Sequence, residues 1–249
     1  GLDLPPAIAP LTRRFEMARM IAEDFEPGMK PLRALEMADA LGAFLDSCQL
    51  EEVSDLSRIA TLAEQDLAEH WRESARFLGL AVEAWPKRLE ALGLVDPAWR
   101  RATLLRRLAE AWDSRPPQAP VIAAGSTGSL PATAELIAPI PRLPHGAVVL
   151  PGLDTDLDAE SWELIAGRRD AAGRELIPPA VGHPQFALHA LLNRIGITRD
   201  AVLPLGQPAA HGRDRTVSEA LRPAAATDRW QRLAGSDFPA RVDAAFATL

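Results

Sequence analysis

The chain has 249 residues, of which 47% are apolar and 24% charged, and its formal net charge is −7 at pH 7. This composition is typical of a folded globular protein, and the negative charge argues against a domain that binds nucleic acid through bulk positive charge. The single cysteine, Cys48, excludes an internal disulfide framework and a multi-cysteine zinc or iron–sulfur site. The sequence has no apolar run as long as a membrane span and no signal-peptide pattern at its start, so we expect a cytoplasmic protein without a membrane partner.

The first two helices are predicted from apolar residues that recur at steps of three and four, because this spacing places them on one face of a helix. The first stripe consists of Leu11, Phe15, Ala18, Ala22 and Phe25, and the second of Ala34, Met37, Leu41, Phe44 and Cys48. We expect both stripes to face the core, with Cys48 as a buried thiol that behaves as a small hydrophobic residue.

A third and longer helical pattern runs from about Asp55 to Gly93. Pro86 lacks the amide proton that a helix interior requires, so we expect it to kink or restart this segment. The pair Asp96-Pro97 supplies an N-cap and a first-turn proline for a fourth helix. The predicted buried side of this fourth helix is formed by Leu104, Leu105, Leu108 and Trp112.

The segment 113–120, DSRPPQAP, interrupts the helical pattern, because consecutive prolines favour extended chain. We place the domain boundary there. The prediction is a helical domain at 1–117 and a second domain at 118–249.

The second half changes character, since short apolar strands are predicted at 121–124 and 146–150 with a helix at 131–140 between them. Such a βαβ unit predicts a parallel, buried sheet. Further predictions are helices at 159–166, 184–195, 214–222 and 238–247 and a weak strand at 201–205. The predicted fold class is therefore mixed, with a mainly α-helical first half and a partial α/β second half. So few strands do not complete an α/β sheet, and we expect the chain to be an internal piece of a larger protein.

The loop GSTGS after the first predicted strand has the ingredients of an anion site, because a Gly-rich turn before a helix exposes backbone N–H groups. It lacks the lysine of a phosphate loop and the third glycine of the dinucleotide fingerprint, so a tight turn of small residues is the simpler interpretation. The same loop can also be interpreted as a nucleophile elbow with Ser126 as the nucleophile. Asp154 or Asp156, and then His183 or His211, follow in an order that a hydrolase could use.

Acidic residues alternate along 154–160, as they do at the start of an EF-hand calcium loop. The glycine and glutamate that this loop needs at later positions are replaced by Ala159 and Ile165, so we do not expect calcium. Instead, Asp158 is expected to cap the following helix. The five histidines show no paired spacing for zinc, and we expect no metal site in this chain.

Four arginines cluster on the predicted fourth helix: Arg100, Arg101, Arg106 and Arg107. Such a row can hold the phosphate groups of DNA through charged donors. The alternative is a solvated face beside acidic residues of the same helix.

Three stretches of the sequence resemble one known family. They are LAEHWRESARFLGLAVEAWPKRLEALGLVDPAWRRATLLRRLAEAW at 67–112, VIAAGSTGSLPATAELIAPIPRLPHGAVVLPGLDTDLDAESWELI at 121–165 and HPQFALHALLNRIGI at 183–197. In wording and order they are similar to the AddB subunits of bacterial AddAB helicase–nucleases, in the form found in alphaproteobacteria. The resemblance covers most of the chain.

The resemblance implies a segment of a machine that unwinds and resects broken DNA ends. It implies a superfamily 1 helicase-like fold, in which a helical part resembling subdomain 1B precedes a partial RecA-like core. The implied partners are an AddA-type helicase–nuclease subunit and DNA. In that family ATP and magnesium belong to the partner motor and an iron–sulfur cluster to a C-terminal nuclease, so the resemblance implies no cofactor for this chain.

The resemblance also gives the two predicted loops a meaning. An active motor of this type ends the first strand in an Asp-Glu pair that holds magnesium, and this sequence has Ala124 and Gly125 there. The loop after the next strand holds a γ-phosphate sensor in an active motor, and here it contains Gly152 and Asp154 without the expected glutamine. The degenerate nucleotide loops would then comprise Ala124, Gly125, Ser126, Thr127, Gly128, Gly152 and Asp154, with no catalytic residue.

Three functions are therefore considered. The first is a non-catalytic, helicase-like segment that acts in double-strand-break repair and recombination. The second is a serine hydrolase built on Ser126. The third is a pure protein–protein interaction module.

Overall fold

The computed structural model describes residues 4–53, 69–206 and 213–232. Its secondary structure is mainly helical and includes a small sheet of two parallel strands. The predicted helical first half and the predicted parallel strand pair of the second half are therefore confirmed. In the described ranges, no helix combines the length and the apolar character that crossing a membrane requires.

The chain divides into two compact units. The first comprises Gly1–Glu110 with Leu130–Thr133, and the second Ala111–Ser129 with Ala134–Leu249.

The first half of the chain contains five α-helices within the described residues. They are α1 (Pro10–Met20), α2 (Pro31–Leu50), α3 (Glu69–Gly79), α4 (Trp85–Leu92) and α5 (Pro97–Ser114). Proline stands at the first position of α1, α2 and α5, where its missing N–H costs no helical hydrogen bond.

The second predicted stripe lies on the buried face of α2. Ala34, Leu41 and Cys48 are buried, and Met37 and Phe44 are half-buried. Burial raises the pKa of the Cys48 thiol above its ordinary value. The prediction for α2 and for its cysteine is confirmed.

The first predicted stripe is wrong at its start. Leu11 and Phe15 are 67% and 58% exposed, whereas Phe25 is buried as expected. The buried face of α1 carries Met17 instead. The cause is the π-helical turn Ile21–Phe25 that continues α1, because its wider turn breaks the 3.6-residue period on which the stripe was drawn.

The third predicted helix is interrupted where Pro86 led us to expect a break. A π-helical turn, Leu80–Ala84, precedes α4, which has Pro86 in its first turn. The helix ends at Gly93, whose φ of +65° is a conformation that glycine adopts without Cβ strain. The part of this pattern at 54–68 lies outside the described residues.

The predicted buried side of α5 is wrong, because its members are half-buried or exposed: Leu104, Leu105, Leu108 and Trp112. The buried residues of α5 are Ala98 and Ala102. Small side chains there let the helix backbone pack close to its neighbours. A search for large apolar residues at helical spacing does not detect such a face.

Asp96 fixes the start of α5 against the core of the first unit. Its side chain is 2% exposed and accepts hydrogen bonds from Arg13 Nε (2.7 Å), Gln49 Nε2 (2.9 Å) and Trp85 Nε1 (2.8 Å). The Gln49 Oε1 atom accepts in turn from the backbone N of Trp99 (3.1 Å). Side chains of α1, α2 and α4 thus converge on one buried carboxylate.

The second half contains four strands and four α-helices within the described residues. They are β1 (Val121–Ala124), α6 (Pro131–Ile137), β2 (Gly146–Val149), α7 (Ala159–Leu164), β3 (Arg168–Arg169), β4 (Glu175–Ile177), α8 (Phe186–Ile195) and α9 (Arg213–Ala220). Short 3₁₀ turns add Ile140–Arg142, Arg199–Ala201 and Ala224–Arg232.

β1 and β2 are parallel neighbours, connected through α6, as the βαβ pattern predicted. Their inner face packs on a core that includes Ile137 and Leu191, and Ala123 and Val148 point toward it. The expectation of a fully buried sheet is wrong, because Ile122 on β1 is 66% exposed. Counting only the residues that the structure describes, the sheet has one covered face and one open face.

The strand predicted at 201–205 is also wrong. The 3₁₀ turn Arg199–Ala201 leads into irregular chain in which Leu203 and Leu205 are 86% and 84% exposed. The antiparallel hairpin of β3 and β4 was not predicted, because strands of two and three residues are too short to show alternation. The helix predicted at 238–247 lies outside the described residues.

Candidate functional site

The parallel strands bring two predicted loops to the same end of the sheet. Ala124 pairs with Val149 in the last rung, and Gly125 N donates to Val149 O at 3.1 Å. The carboxyl ends of parallel strands are where α/β folds place their ligand-binding loops. The loops at 125–130 and 150–158, which we call the strand-end loops, are therefore the candidate site.

The first strand-end loop is a tight turn of small residues. Gly125 and Gly128 have φ values of +76° and +65°, and the Ser126 hydroxyl accepts a hydrogen bond from Gly128 N at 3.3 Å. A Cβ atom on Gly128 would lie 3.3 Å from the Leu191 side chain, a tight contact that would require Leu191 on α8 to shift by a few tenths of an ångström. Thr127, which lies between Ser126 and Gly128 in the sequence, is half-buried. Backbone conformation and packing therefore account for both glycines, and no bound phosphate is needed to explain them.

The second strand-end loop is held by its own acidic residue. Gly152 adopts φ of +58° at its start. Asp154 Oδ1 accepts hydrogen bonds from the backbone N of Asp156 and of Leu157, both at 2.9 Å. This Asx-type turn uses an Asp154 oxygen to shape the loop.

Two residues distant in sequence complete the second loop. The Gln185 side chain donates to Gly152 O (2.9 Å) and accepts from Asp154 N (3.1 Å). Arg199 donates to Asp154 O (3.1 Å), and its guanidinium lies 4.8 Å from the centre of the Trp162 ring. The sequence analysis missed both roles. The motif His183-Pro184-Gln185 was visible as a turn, but the partners of Gln185, which lie 31 and 33 residues away, were not.

Asp158 caps α7 as predicted. Its carboxylate accepts from Ser161 N (3.0 Å) and Ser161 Oγ (2.9 Å), and it also contacts Arg222, whose side chain is 4% exposed. Arg222 pairs in addition with Glu219 at 2.7 Å. Burial of Asp158 opposes its ionisation, but hydrogen bonds from Arg222 and Ser161 outweigh burial and hold the pKa of Asp158 below its ordinary range. This cluster ties the chain after α9 to the end of the second loop.

The strand-end loops do not provide a pair of acidic side chains at the tip of β1. Ala124 and Gly125 have no side-chain oxygen, and Asp154 in the second strand-end loop uses its Oδ1 atom to accept hydrogen bonds within that loop. Within the described part of the chain, no group of three or more His, Cys, Asp or Glu side chains is arranged to hold a metal ion. Magnesium-assisted phosphoryl transfer, which needs carboxylate ligands beside the phosphates, finds no ligand pair here.

The geometry around Ser126 differs from that of a catalytic triad. The hydroxyl is bonded to Gly128 N, while the two ring nitrogens of His183 contact Leu221 O (2.6 Å) and Gln185 N (3.1 Å). No hydrogen bond joins Ser126 to a histidine among the residues described, and His211 lies outside them. A nucleophilic serine needs a base within hydrogen-bond reach, so the elbow interpretation gains no support.

The four arginines of α5 do not act as one uniform row. Arg100 Nε donates to Pro5 O at 3.0 Å, and Arg106 forms an ion pair with Glu52. Arg107 is also engaged, and Arg101 is exposed to solvent. The basic character of α5 is thus partly used to hold the first unit together.

Comparison with known proteins gives no assignment. No protein-family model, curated protein or solved structure matches this chain. The function must therefore be argued from the strand-end loops and the sequence patterns themselves.

Proposed function

We propose that this chain is a non-catalytic, helicase-like segment of an AddB-type subunit that acts with an AddA-type partner in DNA double-strand-break repair and recombination. The observation that carries the proposal is the tip of β1, where the strand ends in Ala124 and Gly125, neither of which has a side-chain oxygen. The resemblance to AddB equates these two positions with the magnesium-binding acids of an active motor. The order of sequence motifs that resemble AddB supports the same assignment.

The arrangement of β1, α6 and β2 supports a RecA-like origin for the second half. Two parallel strands joined by a helix place both loops at one end, as a nucleotide-binding core requires. Backbone turns and the hydrogen bonds of Gln185 hold the loops in this geometry. A bound nucleotide is therefore not needed to shape them. In this proposal the chain keeps the fold of a motor but does not hydrolyse nucleotide, and ATP and magnesium bind the partner motor.

Nucleotide hydrolysis provides the first test. The purified chain is expected to show no magnesium-dependent ATP hydrolysis, because the described residues place no carboxylate pair at the tip of β1 to hold the metal. The matched variants are Gly125→Ala and Asp154→Asn, which alter one strand-end loop each. A magnesium-dependent activity that either variant abolishes would falsify the proposal.

Assembly and DNA binding provide the second test. The chain, or the longer subunit that contains it, is expected to co-purify with an AddA-type subunit and to contribute to DNA binding by the pair. Single charge reversals of Arg100, Arg101, Arg106 and Arg107 remove phosphate contacts if the row faces DNA. Arg101 is the decisive position, because it is exposed, whereas Arg100 and Arg106 also hold the first unit together. Affinity should then fall, and the dependence of log affinity on log salt should flatten by about one unit per lost contact.

Arg33 on α2 supplies the control for this series, because its side chain is 60% exposed and lies on another helix. Arg33→Glu is expected to leave the salt slope unchanged. Unchanged affinity and slope for the α5 variants would assign those arginines to a solvated face. Co-purification with the partner but no cross-linking to DNA would favour a pure protein–protein module.

The serine hydrolase alternative has a direct test. A fluorophosphonate probe labels serines that a neighbouring base activates. Because the Ser126 hydroxyl bonds a backbone amide, we expect no labelling of the folded chain. Labelling that disappears in Ser126→Ala would restore the hydrolase hypothesis.

A further inference from the structure

Residues 221 and 222, which directly follow α9, contact both ends of the second strand-end loop. We call these two residues the α9 clasp. At the far end of the loop, Arg222 donates to the carboxylate of Asp158. At the near end, Leu221 O accepts a hydrogen bond from the ring of His183 at 2.6 Å. One short segment of the chain therefore makes both contacts.

The near contact continues from His183 to the loop itself. His183 Nδ1 accepts from Gln185 N at 3.1 Å. Because an amide N–H only donates and a carbonyl only accepts, these two contacts together place the His183 proton on Nε2. The Gln185 side chain then donates to Gly152 O at 2.9 Å and accepts from Asp154 N at 3.1 Å. Hydrogen bonds in series thus join the end of α9 to the start of the loop.

The far contact is buried and charged. The Arg222 side chain is 4% exposed, and it pairs with Glu219 of α9 at 2.7 Å as well as with Asp158. A buried charge that loses one partner is costly, because it is left without water and without full compensation. Arg222 therefore favours a state in which α9 and the end of the loop stay together.

We infer that the α9 clasp makes α9 and the second strand-end loop a single cooperative unit, so that the two open and close together. Local openings in proteins involve contiguous groups that share contacts, and the α9 clasp supplies such contacts at both ends of the loop. A ligand that binds only the closed form of α9 would then also hold the loop closed. The coupling belongs to the chain itself and does not require an AddA-type partner.

Native-state hydrogen exchange measures this coupling, because an amide exchanges when the structure that holds its hydrogen bond opens. The loop reporters are the amides of Asp156 and Leu157, which donate to Asp154 Oδ1. The α9 reporter is the amide of Leu221, which is hydrogen-bonded to the last turn of α9. The reference is the amide of Ala138, which is hydrogen-bonded at the end of α6.

A substitution within α9 tests transmission from α9 to the loop. Arg215 is exposed and lies in the interior of α9. Because glycine is a poor helix former, Arg215→Gly should speed exchange of the α9 reporter by about fivefold. The loop reporters should accelerate by the same factor, and the reference should not change. The matched control Arg215→Ala removes the same side chain but favours the helix, so it should accelerate none of these amides.

Gln185→Ala tests transmission in the opposite direction. It removes both side-chain hydrogen bonds to the loop and leaves the backbone bond to His183, so it alters no direct contact of α9. The loop reporters should exchange at least about fivefold faster, and the α9 reporter should follow them. The inference is overturned if the loop reporters do not respond to Arg215→Gly or if the α9 reporter does not respond to Gln185→Ala. Equal acceleration of Ala138 also overturns it, because the whole unit would then open rather than α9 and the loop.

Discussion

At the scale of single residues, Asp96 carries the sharpest prediction for the first unit. Asp96→Ala removes a buried acceptor and leaves Arg13 Nε and the Trp85 indole N–H without their partner, while Arg13 keeps its ion pair with Asp46. Breaking a buried ion pair from one side costs about 3–5 kcal/mol. Urea unfolding followed by the signal of the first unit should show a loss of that size.

The control for Asp96 is an exposed ion pair in the same unit. Asp39 pairs with Arg14 at 2.7 Å, and the two side chains are 54% and 41% exposed. Surface pairs contribute about 0–1 kcal/mol, so Asp39→Ala should be nearly neutral. Equal losses for the two variants would mean that Asp96 does not hold α5 in place.

Asp158 makes the stability of the second unit depend on pH. Its pKa is below the ordinary value in the folded chain, so the unfolded chain binds the proton more readily. The stabilisation is complete above the ordinary aspartate pKa and is lost as pH falls below it. The free energy of unfolding of the second unit should therefore decrease between about pH 5 and pH 2.

Two substitutions separate the Asp158 contribution from general acid unfolding. Asp158→Asn removes the titrating group, so the decline with acid should be shallower and stability at neutral pH lower. Asp156→Asn changes an exposed residue of the preceding loop and should retain the parent's pH profile. A profile for Asp158→Asn that matches the parent would show that the Arg222 cluster does not control acid stability.

At the scale of secondary structure, two glycines of the α3–α4 region should respond oppositely to alanine. Gly93 ends α4 with φ of +65°, whereas Gly79 has helical dihedral angles, and neither would place a Cβ within 4 Å of another atom of the described residues. Gly93→Ala should cost about 1 kcal/mol through backbone strain. Gly79→Ala should be neutral or stabilise by up to about 1 kcal/mol.

Thermal unfolding of both glycine variants measures the difference. Because steric contact is absent at both sites, a difference between the variants reports backbone conformation alone. Equal shifts in the melting temperature would contradict the αL assignment for Gly93.

Most helices could be predicted from periodicity, and the errors have physical causes. The predicted apolar stripe of α2 is buried, because the whole length of α2 is regular helix. The predicted stripe of α1 is exposed at its start, because the π-helical turn at Ile21–Phe25 shifts the buried face. The residue types do not indicate such a turn. α5 buries Ala98 and Ala102, which carry little hydrophobic weight in a pattern search.

The candidate site was only half predictable. Ala124, Gly125 and Gly152 could be placed at strand ends because βαβ patterns are local. Gln185 and Arg199, which shape the second loop, are separated from Gly152 and Asp154 by tens of residues. Such long-range pairings depend on tertiary packing and leave no periodic trace in one sequence.

At the scale of the whole molecule, the linker between the helical and α/β halves can be tested by cleavage. Gln118 and Ala119 are exposed and lie outside helices and strands. A specific protease site inserted between them should be cut without loss of the far-UV circular dichroism signal, and the 1–118 piece should remain helical. Loss of helical signal on cleavage would contradict the predicted boundary at 117/118.

The lack of acidic side chains at the tip of β1 has a practical consequence for mixed enzyme preparations. One exchange, such as Ala124→Asp, adds a single oxygen ligand, while Gly125 keeps a positive φ that glutamate adopts only with strain and Asp154 stays bound to its loop amides. Magnesium capture by the described residues would need coordinated changes at several positions. If the proposed assembly with an AddA-type partner forms, we expect its nucleotide turnover to come from the partner, so activity of the pair would report on that motor alone.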